Sequence, residues 1–302
     1  MSACPTFEDV LMTKFADQLG FPEAPVLLPD GDFLFVEMDP AKGWTIRFSA
    51  DGSKRTVIAK TGRPNGLARD SDGYVWVAET AMRALLKLSL DGNYEIAAQE
   101  CDGEGFLFLN DLAIAPNGDI YLTDSGVEIE ELAPNGELNP EYRKIRYDGR
   151  VYHIDRRTLA VRCVDRGILF TNGIAFGPDD ALYVAETMSG EIFRYPWRND
   201  RVVGEREVFG NVLDRFDPNV LQGPDGMKFG ADGNLYVAVF GAGNVTVLDE
   251  KGKVARRIKT EGMHPTNLVF GPPGEQKIYV TEVDSGSVQI FDVGTDGLPL
   301  HL

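Results

Sequence analysis

Asn65-Gly-Leu-Ala-Arg-Asp-Ser-Asp-Gly-Tyr-Val-Trp-Val-Ala-Glu-Thr80 and Asn172-Gly-Ile-Ala-Phe-Gly-Pro-Asp-Asp-Ala-Leu-Tyr-Val-Ala-Glu-Thr187 align without a gap. Asn110-Asp-Leu-Ala-Ile-Ala-Pro-Asn-Gly-Asp-Ile-Tyr-Leu-Thr-Asp-Ser125 and Asp225-Gly-Met-Lys-Phe-Gly-Ala-Asp-Gly-Asn-Leu-Tyr-Val-Ala-Val-Phe240 are two further copies. A fifth begins at Thr266. The most divergent, from Glu23 to Glu37, keeps the turn and the second strand. Each copy reads as a strand, an Asp/Pro/Gly turn and a second β-rich run. A third strand follows, such as Ala84 to Ser89, and then a weaker fourth, such as Tyr94 to Ala97. Four short antiparallel strands in a repeat of roughly 40 to 60 residues is the pattern of a propeller blade. The six anchors, Glu23, Asn65, Asn110, Asn172, Asp225 and Thr266, stand 42, 45, 62, 53 and 41 residues apart.

The expected fold is therefore all-β: a six-bladed β-propeller with a central channel, one domain over residues 1–302. The segment Val10 to Phe15 precedes the first blade and belongs to no repeat. It is expected to supply the outer strand of the last blade, closing the ring and removing an open sheet edge. The long interval holds an insertion, Gly126 to Gly149, read either as a lid over a channel mouth or as a solvated acidic loop.

Composition narrows the partners. The chain has 302 residues, 33 Gly, 17 Pro and a formal charge of −17. Punctuation this dense argues against a helical bundle. The charge argues against nucleic acid and anionic membranes. No apolar run reaches the roughly 20 residues of a membrane span, and the first residues lack a signal-peptide pattern. Cys4, Cys101 and Cys163 form no ligand spacing and read as reduced thiols of a cytoplasmic protein. The composition leaves the oligomeric state open.

In a propeller the innermost strands line the channel, so equivalent anchors form a ring. Here the ring is Glu, Asn, Asn, Asn, Asp, Thr: oxygen donors with no soft ligand. That set suits a hard cation such as Ca²⁺ or Mg²⁺. Strand capping by side-chain hydrogen bonds is the alternative, but the two carboxylates, Glu23 and Asp225, fall where the repeat is broken. A second acidic set, Glu37, Glu79, Asp124, Glu186 and Glu282, recurs regularly and reads as structural. Thr80, Ser125, Thr187 and Phe240, which follow it, are candidates for a pocket rim. His153, His264 and His301 form no zinc pattern, and there is no G-x-S-x-G elbow. His264, two before Thr266, reads as a loop residue near the channel mouth.

These motifs resemble the SMP-30/gluconolactonase/LRE-like family. Pro22-Glu23-Ala24-Pro25-Val26 is similar to its entry motif. Leu109-Asn110-Asp111, Thr171-Asn172-Gly173-Ile174-Ala175 and Gly223-Pro224-Asp225-Gly226-Met227 are similar to its next three signatures. The resemblance implies a propeller with one divalent ion in the channel, most often Ca²⁺, with Zn²⁺, Mg²⁺ or Mn²⁺ as alternatives. It implies Glu23, Asn172 and Asp225 as ligands, Asn110 as ligand or substrate contact, and Asp225 as the catalytic base. Asn65, Asn110, Phe108 and Thr187 are the expected substrate-binding residues. The implied activity is hydrolysis of a small-molecule lactone or ester. Organophosphate hydrolysis and a non-enzymatic calcium-binding scaffold are the alternatives. Phe108 stands where sugar-lactonase relatives carry an arginine, which suggests a less polar substrate. Lys228, Val269 and Val283 replace ligands of the second calcium of the diisopropyl-fluorophosphatase branch, which argues against that branch.

Overall fold

The computed structural model describes residues 7–8, 10–213, 217 and 219–300; Cys4 and His301 lie outside them. Six four-stranded antiparallel sheets follow one another around a channel. Blade 1 runs Pro22–Leu27, Phe33–Glu37, Trp44–Phe48 and Arg55–Lys60, from the channel outward. Blade 2 runs Pro64–Arg69, Val75–Glu79, Ala84–Leu88 and Tyr94–Ala98, and blade 3 runs Leu109–Ile114, Ile120–Asp124, Gly149–Ile154 and Val161–Ile168. Blade 4 consists of Thr171–Phe176, Leu182–Glu186, Glu191–Tyr195 and Glu207–Asn211. Blade 5 consists of Gly223–Phe229, Leu235–Phe240, Asn244–Leu248 and Val254–Lys259.

Blade 6 takes three strands from the C-terminal end, Pro265–Phe270, Lys277–Glu282 and Ser287–Asp292, and its fourth, Met12–Ala16, from the N-terminal end. The expected closure is present, starting two residues later than the sequence suggests. Phe7–Glu8 adds a contact the repeat does not foretell: it pairs in parallel with the outer strand of blade 5.

The second strands show why the repeat folds this way. Phe33–Glu37, Val75–Glu79, Ile120–Asp124 and Leu182–Glu186 are buried along their whole length, covered by neighbouring blades on both faces. They read accordingly as continuous Val, Leu and Tyr runs rather than as alternating ones. The Asp turns are fixed locally. Asp70 Oδ1 accepts the N–H groups of Asp72 and Tyr74, both at 3.0 Å, and Oδ2 accepts the Trp76 indole at 2.9 Å.

The insertion is not a solvated loop. It folds as a one-turn helix, Ile129–Leu132, followed by two 3-10 turns. Val127, Leu132, Tyr142 and Tyr147 bury themselves against Phe108, Phe170 and Met188. Arg143 ties it to the far side, donating to the carbonyls of Asp217 and Val220 at 3.2 and 3.1 Å. Among the described residues no helix is long and apolar enough to cross a membrane.

Phe15 carries the closure. Its ring lies 5.2 Å from Phe33, 5.9 Å from Phe48 and 5.2 Å from Tyr279, joining the first and last blades. Phe15→Ala is expected to cost about 3 kcal/mol, the low end for a phenylalanine because the ring is partly exposed. Removing residues 1–18 is expected to give insoluble protein. Urea denaturation of the point variant and expression of the truncation check both; unchanged stability would dissociate closure from the N-terminal strand.

Candidate functional site

All six inner strands break register at the same place. Between Pro64 and Leu67 the inner strand advances three residues while its partner moves from Glu79 to Val77. The same extra residue occurs after Glu23, Leu109, Thr171, Pro224 and Pro265. A bulge frees a residue from the ladder and re-aims it. In blades 2 to 6 the freed segment carries the anchor, and in blade 1 it follows Glu23 directly, which still pairs with Val36, so the repeat delivers Glu23, Asn65, Asn110, Asn172, Asp225 and Thr266 to corresponding places around the channel.

The residues after the anchors form a second layer: Ala24, Gly66, Asp111, Gly173, Gly226 and Asn267. Neighbouring backbones approach closely there. A Cβ on Gly173 would lie 2.1 Å from the Asp225 carbonyl oxygen, and one on Gly226 would lie 1.9 Å from Asn267 Cγ. Asp111 and Asn267 are the two members of this layer with polar side chains. Asn267 Nδ2 donates to Glu23 Oε2 at 3.0 Å, and its side chain also lies against Asp111.

The ring amides are held from behind. Asn172 Nδ2 donates to Thr187 Oγ1 at 3.1 Å, and Thr187 Oγ1 donates to the Pro224 carbonyl at 2.9 Å. Asn110 Nδ2 donates to Ser125 Oγ at 3.1 Å, and Ser125 Oγ donates to the Thr171 carbonyl at 2.9 Å. Each hydroxyl thus staples one blade to the next and fixes the amide with its carbonyl oxygen free of that bond. Asn172 Oδ1 and Asp111 Oδ2 are buried without a protein partner. Asn65 differs: its Nδ2 donates to the Leu109 carbonyl at 3.3 Å. Thr266 spends its hydroxyl on the Pro22 carbonyl at 2.8 Å, which makes it a blade staple.

Thr187 was expected on the pocket rim. It is 3% exposed and fully hydrogen-bonded, so it positions Asn172. Ser125 does the same for Asn110, while Thr80 only staples its blade to the next, donating to the Leu109 carbonyl at 3.0 Å. The regular acidic set is structural, as its periodicity suggests. Glu37 accepts the Gly20 N–H at 2.8 Å, Asp124 those of Leu107 and Phe108, and Glu186 that of Leu169.

Electrostatics set the ring apart. Burial, then the nearby Asp111, push Glu23 up to about 8. Burial, then Glu23 and Asp111, hold Asp225 well above the carboxylate range. Asp111 is raised too, chiefly by burial. Lys228 offsets part of the charge on both Glu23 and Asp111. Three crowded carboxyl groups at this depth favour the neutral form unless a cation neutralises them. Among the described residues no three His, Cys, Asp or Glu side chains form a metal-ligand cluster. The ring's donor set is mixed: two carboxylates with amide oxygens, one of them unsatisfied. That chemistry fits a hard cation.

Phe108 lies at the anchor end of its strand, 5.8 Å from the Phe170 ring and under the insertion. Phe108 is buried in an apolar cluster with Phe170 and the insertion. The guanidinium of Arg63, from the preceding blade, lies over the Phe108 ring at 6.0 Å.

A family model described as "SMP-30/Gluconolactonase/LRE-like region" matches residues 21–284. The chain belongs to the SMP-30/gluconolactonase/LRE-like family. It is 29% identical to diisopropyl-fluorophosphatase of Loligo vulgaris over 95% of this chain and 93% of that protein. It is 25% identical to a gluconolactonase of Zymomonas mobilis over 86% of this chain and 76% of that protein. Among solved structures, a calcium-binding regucalcin from Agrobacterium tumefaciens superposes with a TM-score of 0.79 at 19% identity, covering 99% of this chain and all of that one. A gluconolactonase from Xanthomonas campestris gives 0.75 at 23%, covering 95% and 89%. At these identities the structural likeness speaks to the fold. The match to the Loligo diisopropyl-fluorophosphatase over nearly the full length of both chains runs against the expectation, drawn from Lys228, Val269 and Val283, that this branch is not a close match. Val269 is packed in the core beside Phe33 and Tyr279, where it serves no channel role.

Asp111, Asn267, Lys228 and Arg63 are the site residues that the repeat reading passed over. The signal was present for two of them: Asp111 and Asn267 replace Ala or Gly at the position after the anchor. Gly226→Ala is expected to cost about 1–3 kcal/mol through the clash with Asn267. Gly105→Ala, which meets open space, should stay within about 0.5 kcal/mol of the parent. Thermal denaturation of the two variants side by side tests whether the second layer is as tight as described.

Proposed function

We propose that the chain is a divalent-cation-dependent hydrolase that opens a small lactone or ester, with Ca²⁺ the leading candidate ion. The observation that carries this reading is the convergence of Glu23 and Asp225, both held neutral by burial, with an unsatisfied buried amide oxygen on Asn172. Glu23, Asn110, Asn172 and Asp225 would hold the ion, which when bound supplies Lewis-acid polarisation of the substrate carbonyl.

Asp225, once ionised, takes a proton from water, and the water oxygen attacks the carbonyl carbon. The C–O bond to the leaving oxygen then breaks, and the proton passes from Asp225 to that oxygen. Asn65 and Asn110 orient the substrate. Phe108, walled in by the insertion, shapes the apolar side and excludes water. A soluble, cytoplasmic enzyme without nucleic-acid or membrane partners is consistent with the charge of −17 and the free thiols Cys101 and Cys163.

Phosphotriester hydrolysis at the same site is the second reading. The similarity to the Loligo diisopropyl-fluorophosphatase over nearly the full length of both chains favours it. A panel of lactones, aryl esters and fluorophosphates, run after EDTA stripping and reconstitution with Ca²⁺, Mg²⁺, Mn²⁺ or Zn²⁺, separates the two. Lactone turnover restored by a cation supports the first, and a preference for fluorophosphates supports the second. Asp225→Asn should lower kcat by roughly 10²- to 10⁴-fold with an unchanged circular dichroism spectrum; near-normal turnover would remove Asp225 from the chemistry.

The raised carboxyl groups also fix a pH dependence. Glu23 titrates near 8 in the folded, cation-free chain, against an ordinary 4.5. Between those values the folded state binds more protons than the unfolded one, so cation-free stability should fall as pH rises through this window. Cation binding needs the ionised form, so affinity should rise with pH toward 8 and release protons. Melting curves of EDTA-treated protein from about pH 5 to 9, with calorimetry in two buffers of different ionisation enthalpy, measure both. A flat profile with no proton release would contradict the assignment of Glu23.

A further inference from the structure

Two residues before each anchor stand Phe21, Arg63, Phe108, Phe170, Gly223 and His264. Their equivalence is structural as well as sequential. The carbonyls of Phe21, Arg63, Phe108, Phe170 and His264 accept the N–H groups of Met38, Thr80, Ser125, Thr187 and Val283 at 2.8 to 3.0 Å. These positions form a rim at the anchor end of the channel, and two of them carry groups able to bear positive charge. His264 is committed: its Nδ1 lies 2.7 Å from Asp284 Oδ1, and its ring stacks 4.5 Å from Phe240.

Arg63 is not committed. Its guanidinium makes no hydrogen bond or ion pair among the described residues, and its Nε is buried without a partner. The Glu79 carboxylate, which faces it, is occupied by the backbone N–H groups of Arg63 and Met82. Glu130 of the insertion faces it from the other side and, like Glu79, favours its charge against the burial that disfavours it. The flat face of Phe108 holds the group in place at 6.0 Å. The Nε is closed off, so a ligand would meet the guanidinium through its two Nη nitrogens, which make no hydrogen bond or ion pair among the described residues and are free to take an acceptor from outside the protein.

We infer that Arg63 is a substrate-recognition residue that binds a carboxylate carried beside the scissile lactone or ester bond, the apolar part of the substrate lying along Phe108 and Phe170. The inference rests on the hydrolytic reading above and adds the substrate class to it. The planar fork of arginine matches a carboxylate in two parallel hydrogen bonds. With Glu23, Asp111 and Asp225 in the channel and −17 on the chain, a substrate that carries a carboxylate enters only if a fixed cation offsets that repulsion, and Arg63 is placed to do so.

The test compares γ-carboxy-γ-butyrolactone with its neutral γ-carboxamide on the Ca²⁺-loaded full chain. Arg63→Met should raise KM for the carboxylate roughly 10- to 100-fold, leave kcat nearly unchanged and leave the carboxamide unaffected. Arg63→Lys should recover part of the loss. Equal loss on both substrates, or no loss on either, overturns the assignment. If the parent hydrolyses neither lactone, the hydrolytic reading stands or falls on the panel above, and calorimetric titration of γ-hydroxyglutarate into parent and Arg63→Met decides the recognition role. Binding lost in the variant supports it; equal binding, or none to the parent, overturns it.

Discussion

Six bulges at one level of a closed ring are the constraint on which the rest of this molecule depends. A β-ladder spends every backbone group on its neighbour and points side chains alternately into the flanking blades. It leaves nothing for the channel. The extra residue in each inner strand breaks that alternation once per blade, freeing the anchor and its successor together in blades 2 to 5, Thr266 in blade 6 and the residues after Glu23 in blade 1. The cost is met by the surroundings: Thr80, Ser125 and Thr187 hydrogen-bond the next blade's backbone, and glycine fills the layer where backbones nearly touch.

Crowding follows from that geometry. Glu23, Asp111 and Asp225 come from blades 1, 3 and 5 and are brought together where water is scarce. Burial pushes all three toward the neutral form; Asp111 adds to this for Glu23, and Glu23 and Asp111 add to it for Asp225. Asn267 and Lys228 relieve part of this. The remainder is the physical basis for reading the channel as a cation site, since repulsion stored in the folded state becomes affinity for a divalent ion. The same frame explains the rim. Two residues before the anchor, Phe21, Arg63, Phe108, Phe170 and His264 are each pinned by their own carbonyl, so their side chains start from equivalent backbone positions, while at Gly223 the Thr187 backbone leaves no room for a side chain.

The sequence reading and the structure part at identifiable places. The anchors, the blade order and the N-terminal closing strand were legible because repetition reveals equivalence. Thr187 was misplaced on the rim because a hydroxyl after a strand looks alike whether it meets substrate or staples a blade; only the 2.9 Å bond to Pro224 decides. The insertion could be read two ways because its composition mixes Glu128, Glu130 and Glu131 with Val127, Leu132 and Tyr142. Folding sorts those residues, sending the acids outward and the apolar set onto Phe108 and Phe170.

What the sequence by itself determined is periodicity: six units, their anchors, and the two acids that break the pattern at Glu23 and Asp225. Periodicity specifies which residues are equivalent, and in a closed ring equivalence is already a statement about the axis. What only the tertiary structure decided is proximity between residues that no period relates. Asn267 bonds Glu23 across 244 residues, Asp111 joins the carboxylate cluster, and Arg63 lies unpaired over Phe108 from the neighbouring blade. Those relations arise from ring closure and bulge geometry, which act between blades and leave no trace within any single repeat.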